Sequence, residues 1–329
     1  MRRRNFIKVV AGSAIAWPLI TRAQQSERVR RIGIVMGFTE SDPAAQAQVN
    51  GFRQQLRKLG WIEGVNIHID YRYPADDPIR IRAVAAELLG LAPDLIVSST
   101  NMVTSILKSE VRAVPLLFLQ VSDPIGSGFV TNLVRPTGNV TGFDNFEPSM
   151  DGKWLETLKE IAPNIERVGF ILNPETSPNV GFLHTAEAAA PLLKVKVSAL
   201  GVHNRDEIEH SVTSFADEAM GGLIVAPHAV TVTNAELIVA LAVRHRLPSI
   251  YSFAFYAKAG GLISYGFDPV EQFRQGAGYV DKILRGAQAG DLPVQHPTKF
   301  ELVINLKTAK TLGLTVPPFM QQRADEVIE

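Results

Sequence analysis

Short apolar runs rich in β-branched residues alternate with stretches of helical periodicity along nearly the whole chain, and the alternation runs through twice. The first series opens with Ile32-Gly-Ile-Val-Met36, followed by Ala44 to Leu59, where Val49, Phe52, Leu56 and Leu59 fall at helical spacing. Next come Asn66 to Tyr73, alternating with period two, a helix over Pro78 to Leu89, a buried-type strand over Asp94 to Val97, a helix from Asn101, and a strand over Pro115 to Leu119. Pro78 suits a first helical turn and Gly90 a helix end. The second series places helices at Ser149 to Ile161, Val180 to Leu193, Asp206 to Ala219 and Asn234 to Arg244. Between and after them lie strands at Arg167 to Leu172, Lys196 to Leu200, Leu223 to Ala226 and Pro248 to Tyr251. Strands separated by ~10–15-residue helices imply a mainly parallel sheet covered on both faces, so two series imply two doubly wound α/β lobes.

Between the series lies Leu119 to Phe143, with turns at Ser122-Asp123-Pro124 and Arg135-Pro136-Thr137-Gly138 before an alternating Asn139-Val-Thr-Gly-Phe143. So much turn chemistry between apolar runs marks a crossing from one half of the molecule to the other. The end of the chain is less regular. Gly261 to Tyr265 is expected as a strand, Pro269 to Leu284 as a helix, Leu292 to Pro297 as a linker, Lys299 to Asn305 as a strand and Lys307 to Leu312 as a helix. Pro191 marks a kink or an early end in the helix before it.

At 329 residues, 46% of them apolar, the chain is long enough for two domains, each with its own core. It has no cysteine, which excludes disulfide frameworks, thiol catalysis and cysteine-held metals. Residues 1–23 are expected to form a cleaved signal: Arg2 to Lys8 is basic, Val9 to Ile20 mostly apolar, and Arg3-Arg4-Asn5-Phe6-Ile7-Lys8 is close to the twin-arginine consensus. The apolar run is shorter than the ~20 residues a membrane span requires. Cleavage after Ala23 would leave 28 basic against 33 acidic residues and a soluble periplasmic protein. Nothing in this balance favours nucleic acid, which requires a concentrated basic face.

Parallel lobes put the carboxyl ends of their strands at a crevice, so contact residues are sought directly after each strand. This selects Phe38 and Thr39; Ser99, Thr100 and Asn101; Asp123; Asn173; His228; Tyr251; Tyr265; and Asp268 before the Pro269 helix. The hydroxyl-rich turn at Ser98 to Asn101 leads into a helix whose free N–H groups are suited to a ligand carboxylate, or to capping by Thr100 or Asn101. Asp123 suits an ammonium group or a backbone turn. Trp61, past a helix end, is expected in packing.

No catalytic constellation, metal site or cofactor is expected. The seven histidines form no His-Glu-x-x-His pair, Gly276-Ala277-Gly278 follows no strand, no phosphate loop occurs, and Gly126-Ser127-Gly128 lacks the nucleophile-elbow spacing. Asp76-Asp77 before Pro78 is expected as a helix start. Asn139-Val140-Thr141 matches a glycosylation sequon but falls in an alternating strand.

Several longer stretches carry a family likeness: Val121 to Phe129, Arg135 to Phe143, Lys153 to Pro163, Glu301 to Leu314 and Arg323 to Glu329. Together they resemble the ABC-transporter substrate-binding family that includes tryptophan-binding proteins. The resemblance implies a type I periplasmic binding protein fold, two lobes joined by a hinge of three crossings near Phe143, Tyr265 and Pro293 to Pro297. Lobe one would comprise residues 28–143 with about 263–290, and lobe two 144–262 with about 298–329. A monomer would capture a small molecule, such as an amino acid or an aromatic or carboxylate compound, and deliver it to an ABC permease. A sensor presenting its ligand to a receptor would share this fold, as would a secreted enzyme. Tryptophan-named relatives carry an Ala-Thr-Pro-type turn where this chain has Thr100-Asn101-Met102, so ligand identity is not carried across.

Overall fold

The computed structural model describes residues 28–145 and 150–329. The signal expected at residues 1–23 lies outside them. The first half of the chain builds a five-stranded parallel sheet from β1 (Arg30–Val35), β2 (Ile67–Arg72), β3 (Leu95–Ser99), β4 (Leu116–Val121) and β5 (Val140–Asp144), in the order β2-β1-β3-β4-β5. Helices α1 (Pro43–Lys58), α2 (Pro78–Gly90) and α3 (Asn101–Glu110) connect its first four strands.

β4 shows how the apolar runs become layers. Leu117 and Leu119 face the same core as Val49 and Phe52 of α1, while Leu116 and Phe118 face that of Ile81, Leu88, Val103 and Leu107 on α2 and α3. A strand with helices on both faces has two buried sides, which is why its sequence is continuously apolar instead of alternating. Each such side chain, fully buried, contributes about 1.5–3 kcal/mol.

The second half contains α4 (Met150–Ile161), β6 (Arg167–Leu172), α5 (Ser177–Ala189), β7 (Lys196–Gly201), α6 (Arg205–Ala216), β8 (Gly221–Val225), α7 (Ala229–Thr233), α8 (Ala235–Arg244), β9 (Ser249–Tyr251), α9 (Ala254–Lys258) and β10 (Ile263–Gly266). After it come α10 (Pro269–Leu284), β11 (Glu301–Asn305), α11 (Leu306–Thr311), α12 (Pro318–Arg323) and β12 (Glu326–Ile328). The second sheet runs β12-β11-β10-β9-β8-β6-β7, parallel except where β11 meets β10. Helix α5 stops at Ala189, ahead of Pro191, and does not reach Leu193.

The chain passes between the sheets three times. It leaves β5 for α4, leaves β10 for α10, which packs against α1 and β4, and returns from the segment around Gln295 to β11. Phe143 and Gln295 form a parallel bridge where two of these crossings run side by side. One expected boundary moves: residues 263–266 form β10, paired with β9 and β11 in the second sheet, so the return to the first lobe begins only at α10. The pairing depends on partners remote in sequence, which a local pattern does not specify.

Three helices start with the same local device. Asp42-Pro43, Asp77-Pro78 and Asp268-Pro269 each place an aspartate side chain on the first free N–H groups and a proline in the first turn. Trp61 packs against the core and donates its indole N–H to Asp281 at 2.8 Å.

Candidate functional site

The two sheets present their strand ends to a shared cavity of about 630 Å³, counting the solvent at its mouth. From the first lobe it is lined by Phe38, Gln48, Asp76, Thr100, Asn101, Gln120, Ser122 and Asn145. From the second come Thr176, Pro178, Asn179, His228, Val232, Phe253 and Phe255. Most of the polar lining residues come from lobe one and most of the apolar ones from lobe two.

Lobe one holds its polar groups in strained backbone. Asp76 (φ 53°), Thr100 (φ 75°) and Gln120 (φ 52°) are non-glycine residues at positive φ, and all three line the cavity. Such conformations cost of order 1–3 kcal/mol each and concentrate where a site requires them. Thr100 donates its hydroxyl to Asp76 Oδ1 at 2.7 Å, while Thr100 Oγ1 accepts from Val103 N at 3.4 Å. A Cβ on Gly37 would lie 2.5 Å from Asp76 Oδ1 and 2.5 Å from Thr100 Cγ2, so only glycine allows the turn after β1 to approach this pair. Burial pushes the Asp76 carboxyl up to about 7, against the opposing effect of the Thr100 hydroxyl.

Gln120 is positioned from behind. The ladder between β4 and β5 shifts register between Phe118 and Val121, and Gln120 N donates to Gln272 Oε1 of α10 at 2.9 Å. The Gln272 amide donates in turn to Asp144 O at 3.0 Å and Asn145 Oδ1 at 3.3 Å. A buried α10 side chain therefore sets the geometry of two strand ends at the cavity. The Oε1 atoms of Gln120 and Gln48 are buried and have no hydrogen-bond partner among the described residues. Both residues line the cavity.

In lobe two, four rings form a continuous stack. Tyr251 lies on Tyr256 (4.8 Å between centroids), Tyr256 on Phe255 (4.6 Å) and Phe255 on Phe253 (5.6 Å), with Phe267 edge-on to Phe253 at 5.5 Å. Only Phe253 and Phe255 reach the cavity. His228 caps α7, its Nδ1 accepting from Val230 N at 3.2 Å, and burial, with a smaller effect from His203, holds its imidazole down at about 4.

Of the residues expected from sequence, Phe38, Thr100, Asn101 and His228 line the cavity. Asn101 acts within the protein, donating to Ser122 O at 2.8 Å and accepting from Ser122 N at 3.0 Å. The others lie elsewhere. Thr39 is exposed beside Ser41; Ser99 is buried and accepts from Gly37 N at 3.2 Å. Asp123 is exposed at φ 50° and accepts from Gly126 N at 2.8 Å, so it serves its turn. Asn173 shapes the loop before α5, accepting from Glu175 N at 2.9 Å. Tyr251 is buried with its hydroxyl on Ser249 at 2.8 Å, and Tyr265 lies against Phe300. Asp268 is the α10 cap.

Asp76, Gln48, Gln120, Asn145, Phe253 and Phe255 escaped the sequence reading. Asp76 follows β2 after a short loop and stands beside Asp77 in the pair expected as a helix start, whereas only Asp77 caps α2. Gln48 lies on the buried face of α1, where a glutamine amid apolar residues was the available signal. Phe253 and Phe255 follow β9 directly and satisfied the strand-end rule that selected Tyr251.

Two α/β lobes joined by three crossings around one cavity define the type I periplasmic binding proteins as the class of this molecule. The chain belongs to the ABC transporter substrate binding protein family, whose model matches residues 33–328. It is 24% identical over 289 residues to a tyrosine-binding protein of Clostridioides difficile, covering 88% of this chain and 82% of that one. Among solved structures it is similar to a conserved domain protein of Vibrio cholerae, with TM-score 0.85 and 26% identity over 91% of this chain and all of the other. It is also similar to an ABC domain in complex with L-Trp from Streptococcus pneumonia, with TM-score 0.84 and 24% identity over 91% and 99% of the two chains. The latter likeness concerns fold alone. Among the described residues no helix is long and apolar enough to cross a membrane, and no group of three or more His, Asp or Glu residues is arranged to hold a metal ion.

Proposed function

We propose that this chain is the periplasmic capture component of an ABC importer, closing its lobes on a small organic molecule and presenting the closed form to a membrane permease. The observation that carries this reading is the division of the cavity: buried polar groups in one lobe, Gln48 and Gln120 among them, face the Phe253 and Phe255 surface of the other. A ligand that touches both lobes favours the closed arrangement by its differential affinity, which suffices to shift the population. Small aromatic molecules bearing a charged end are the first candidates, and the tyrosine- and tryptophan-linked names of relatives support testing amino acids among them. The export motif at residues 1–23 supports a periplasmic location.

A thermal-shift screen of amino acids, aromatic acids and amines on the purified protein tests the reading. A ligand at 100 times its dissociation constant adds about 2.7 kcal/mol to stability. If no small molecule shifts the melting temperature, or one is converted chemically, capture for import is the wrong function.

A further inference from the structure

We propose that Gln272 is a positioning residue of the interlobe hinge: its side chain ties the three crossings to one another and to the cavity wall, so the angle between the lobes depends on it. The inference rests on the capture reading for what the hinge is used for, but it concerns the ligand-free protein and is tested there.

β4 is irregular where it reaches the cavity. From Phe118 to Val121 it advances three residues while β5 advances two, from Gly142 to Asp144, so β4 carries one residue in excess. Gln120, inside this bulge, holds φ 52°, and its N–H is turned to Gln272 Oε1 at 2.9 Å. Backbone strain of this kind persists only where the surroundings fix it. The close approach of α10 depends on a glycine one turn further on: a Cβ on Gly276 would lie 2.8 Å from Leu119 Cδ2.

The other end of the same amide reaches the crossings. Gln272 Nε2 donates to Asp144 O at 3.0 Å and to Asn145 Oδ1 at 3.3 Å, where the chain leaves β5 for lobe two. Asp144 N donates to Gln295 O at 2.8 Å, and Gln295 N to Gly142 O at 3.0 Å, which brings in the crossing that returns to β11. Gln272 itself stands in the first turn of α10, where the crossing from β10 ends. One buried side chain, 4% exposed, therefore touches the first crossing directly, the last through Asp144, and belongs to the end of the second. Lobe rotation is absorbed by φ/ψ changes at such crossings. Tied through one amide, they turn as a unit, and the turn is felt at Gln120 in the cavity wall.

Interlobe distances read by pulsed electron resonance test this. Ile79→Cys in α2 and Leu192→Cys after α5 put one spin label on each lobe, at exposed positions of a chain with no other thiol. Gln272→Met keeps the length of the side chain and makes none of the three bonds. In the ligand-free protein it should at least double the width of the distance distribution. Ile208→Ala, buried on α6 away from the crossings, controls for lost stability: it should lower the melting temperature and leave the distribution unchanged. Asn145→Ala removes one of the acceptors, should broaden the distribution less, and replaces Gln272→Met if that variant does not fold. An unchanged width in the variant that folds, or equal broadening in Ile208→Ala, overturns the hinge role and leaves capture standing. Broadening confined to the Gln272 and Asn145 variants supports the hinge role, and does so even if no small molecule binds and capture falls.

Discussion

Thr100, at the first turn of α3, donates its hydroxyl to Asp76, which lies twenty-four residues earlier in the chain, at 2.7 Å, and both residues hold positive φ to do so. The contact joins the loop after β2 to the end of β3, and it places a desolvated carboxylate in the cavity wall.

The first prediction concerns pH and stability. Asp76 titrates near 7 in the folded protein against an unfolded value near 3.9, so between these values the native state binds more protons and stability falls as pH rises. The full loss, reached above pH 7, is of order 2–4 kcal/mol. No charged side chain among the described residues contributes to this shift, neighbouring Asp77 is turned to cap α2, and His228, the other titratable group of the described lining, is neutral above about 4. Asp76→Asn should therefore flatten the melting-temperature profile between pH 5 and 8, and an unchanged profile would refute the assignment.

Ligand binding should have the opposite slope. A ligand bearing an ammonium group would pair with ionised Asp76, so the affinity of such a ligand should rise as pH increases through 7 and level off above 8. Titrations at pH 5.5, 7 and 8.5 read this, and Asp76→Asn should remove the dependence together with the affinity.

Gly37→Ala should disrupt the site more than the fold. The new Cβ collides with the side chains of Asp76 and Thr100, neither of which is held by a large apolar core, so they are displaced. An affinity loss of at least tenfold, about 1.4 kcal/mol, is expected, with a smaller change in urea unfolding free energy. Retained affinity would show that the Asp76–Thr100 geometry is dispensable.

Gln272→Leu removes the side chain that accepts from Gln120 N and donates to Asp144 O and Asn145 Oδ1. Leaving these buried groups unpaired costs about 1–3 kcal/mol for each one that water cannot reach. Urea denaturation should show a loss of at least 2 kcal/mol, and affinity should fall as the two strand ends lose their support.

Asp123→Ala separates turn from site. Asp123 is exposed and bonds only its own turn at Gly126 N, so stability should fall by about 1 kcal/mol while ligand affinity stays within twofold. Phe255→Leu should do the reverse, weakening an aromatic ligand two- to tenfold through loss of stacking worth ~0.5–1.5 kcal/mol. Calorimetry on the two variants side by side distinguishes these roles.

Much of the architecture was legible because its causes are local. Period-two and helical spacing, the Asp-Pro helix starts and the continuous apolar runs of strands covered on both faces act within a few residues of where they are read. Two doubly wound lobes follow from them, and so does the rule that contacts are sought after strands, under which Phe38, Thr100, Asn101 and His228 lie in the cavity lining. Other side chains just after a strand are engaged inside the protein: Ser99 on Gly37, Asn173 on its loop, Asp123 on its turn.

What only the tertiary structure decided is which side chains remain unspent once the lobes meet. The sequence determines that Asp76 and Asp77 stand before a helix, but one caps it and the other turns into the cavity, where Thr100, brought alongside by the pairing of β1 with β2 and β3, donates its hydroxyl to it. Gln120 is an ordinary strand residue until Gln272 of α10, 152 positions away, accepts its N–H and leaves its side chain in the cavity with an unpaired oxygen. Hydrogen-bond satisfaction is a property of the folded whole. The choice between a residue that serves the protein and one left for a ligand is therefore made by contacts that sequence spacing does not encode.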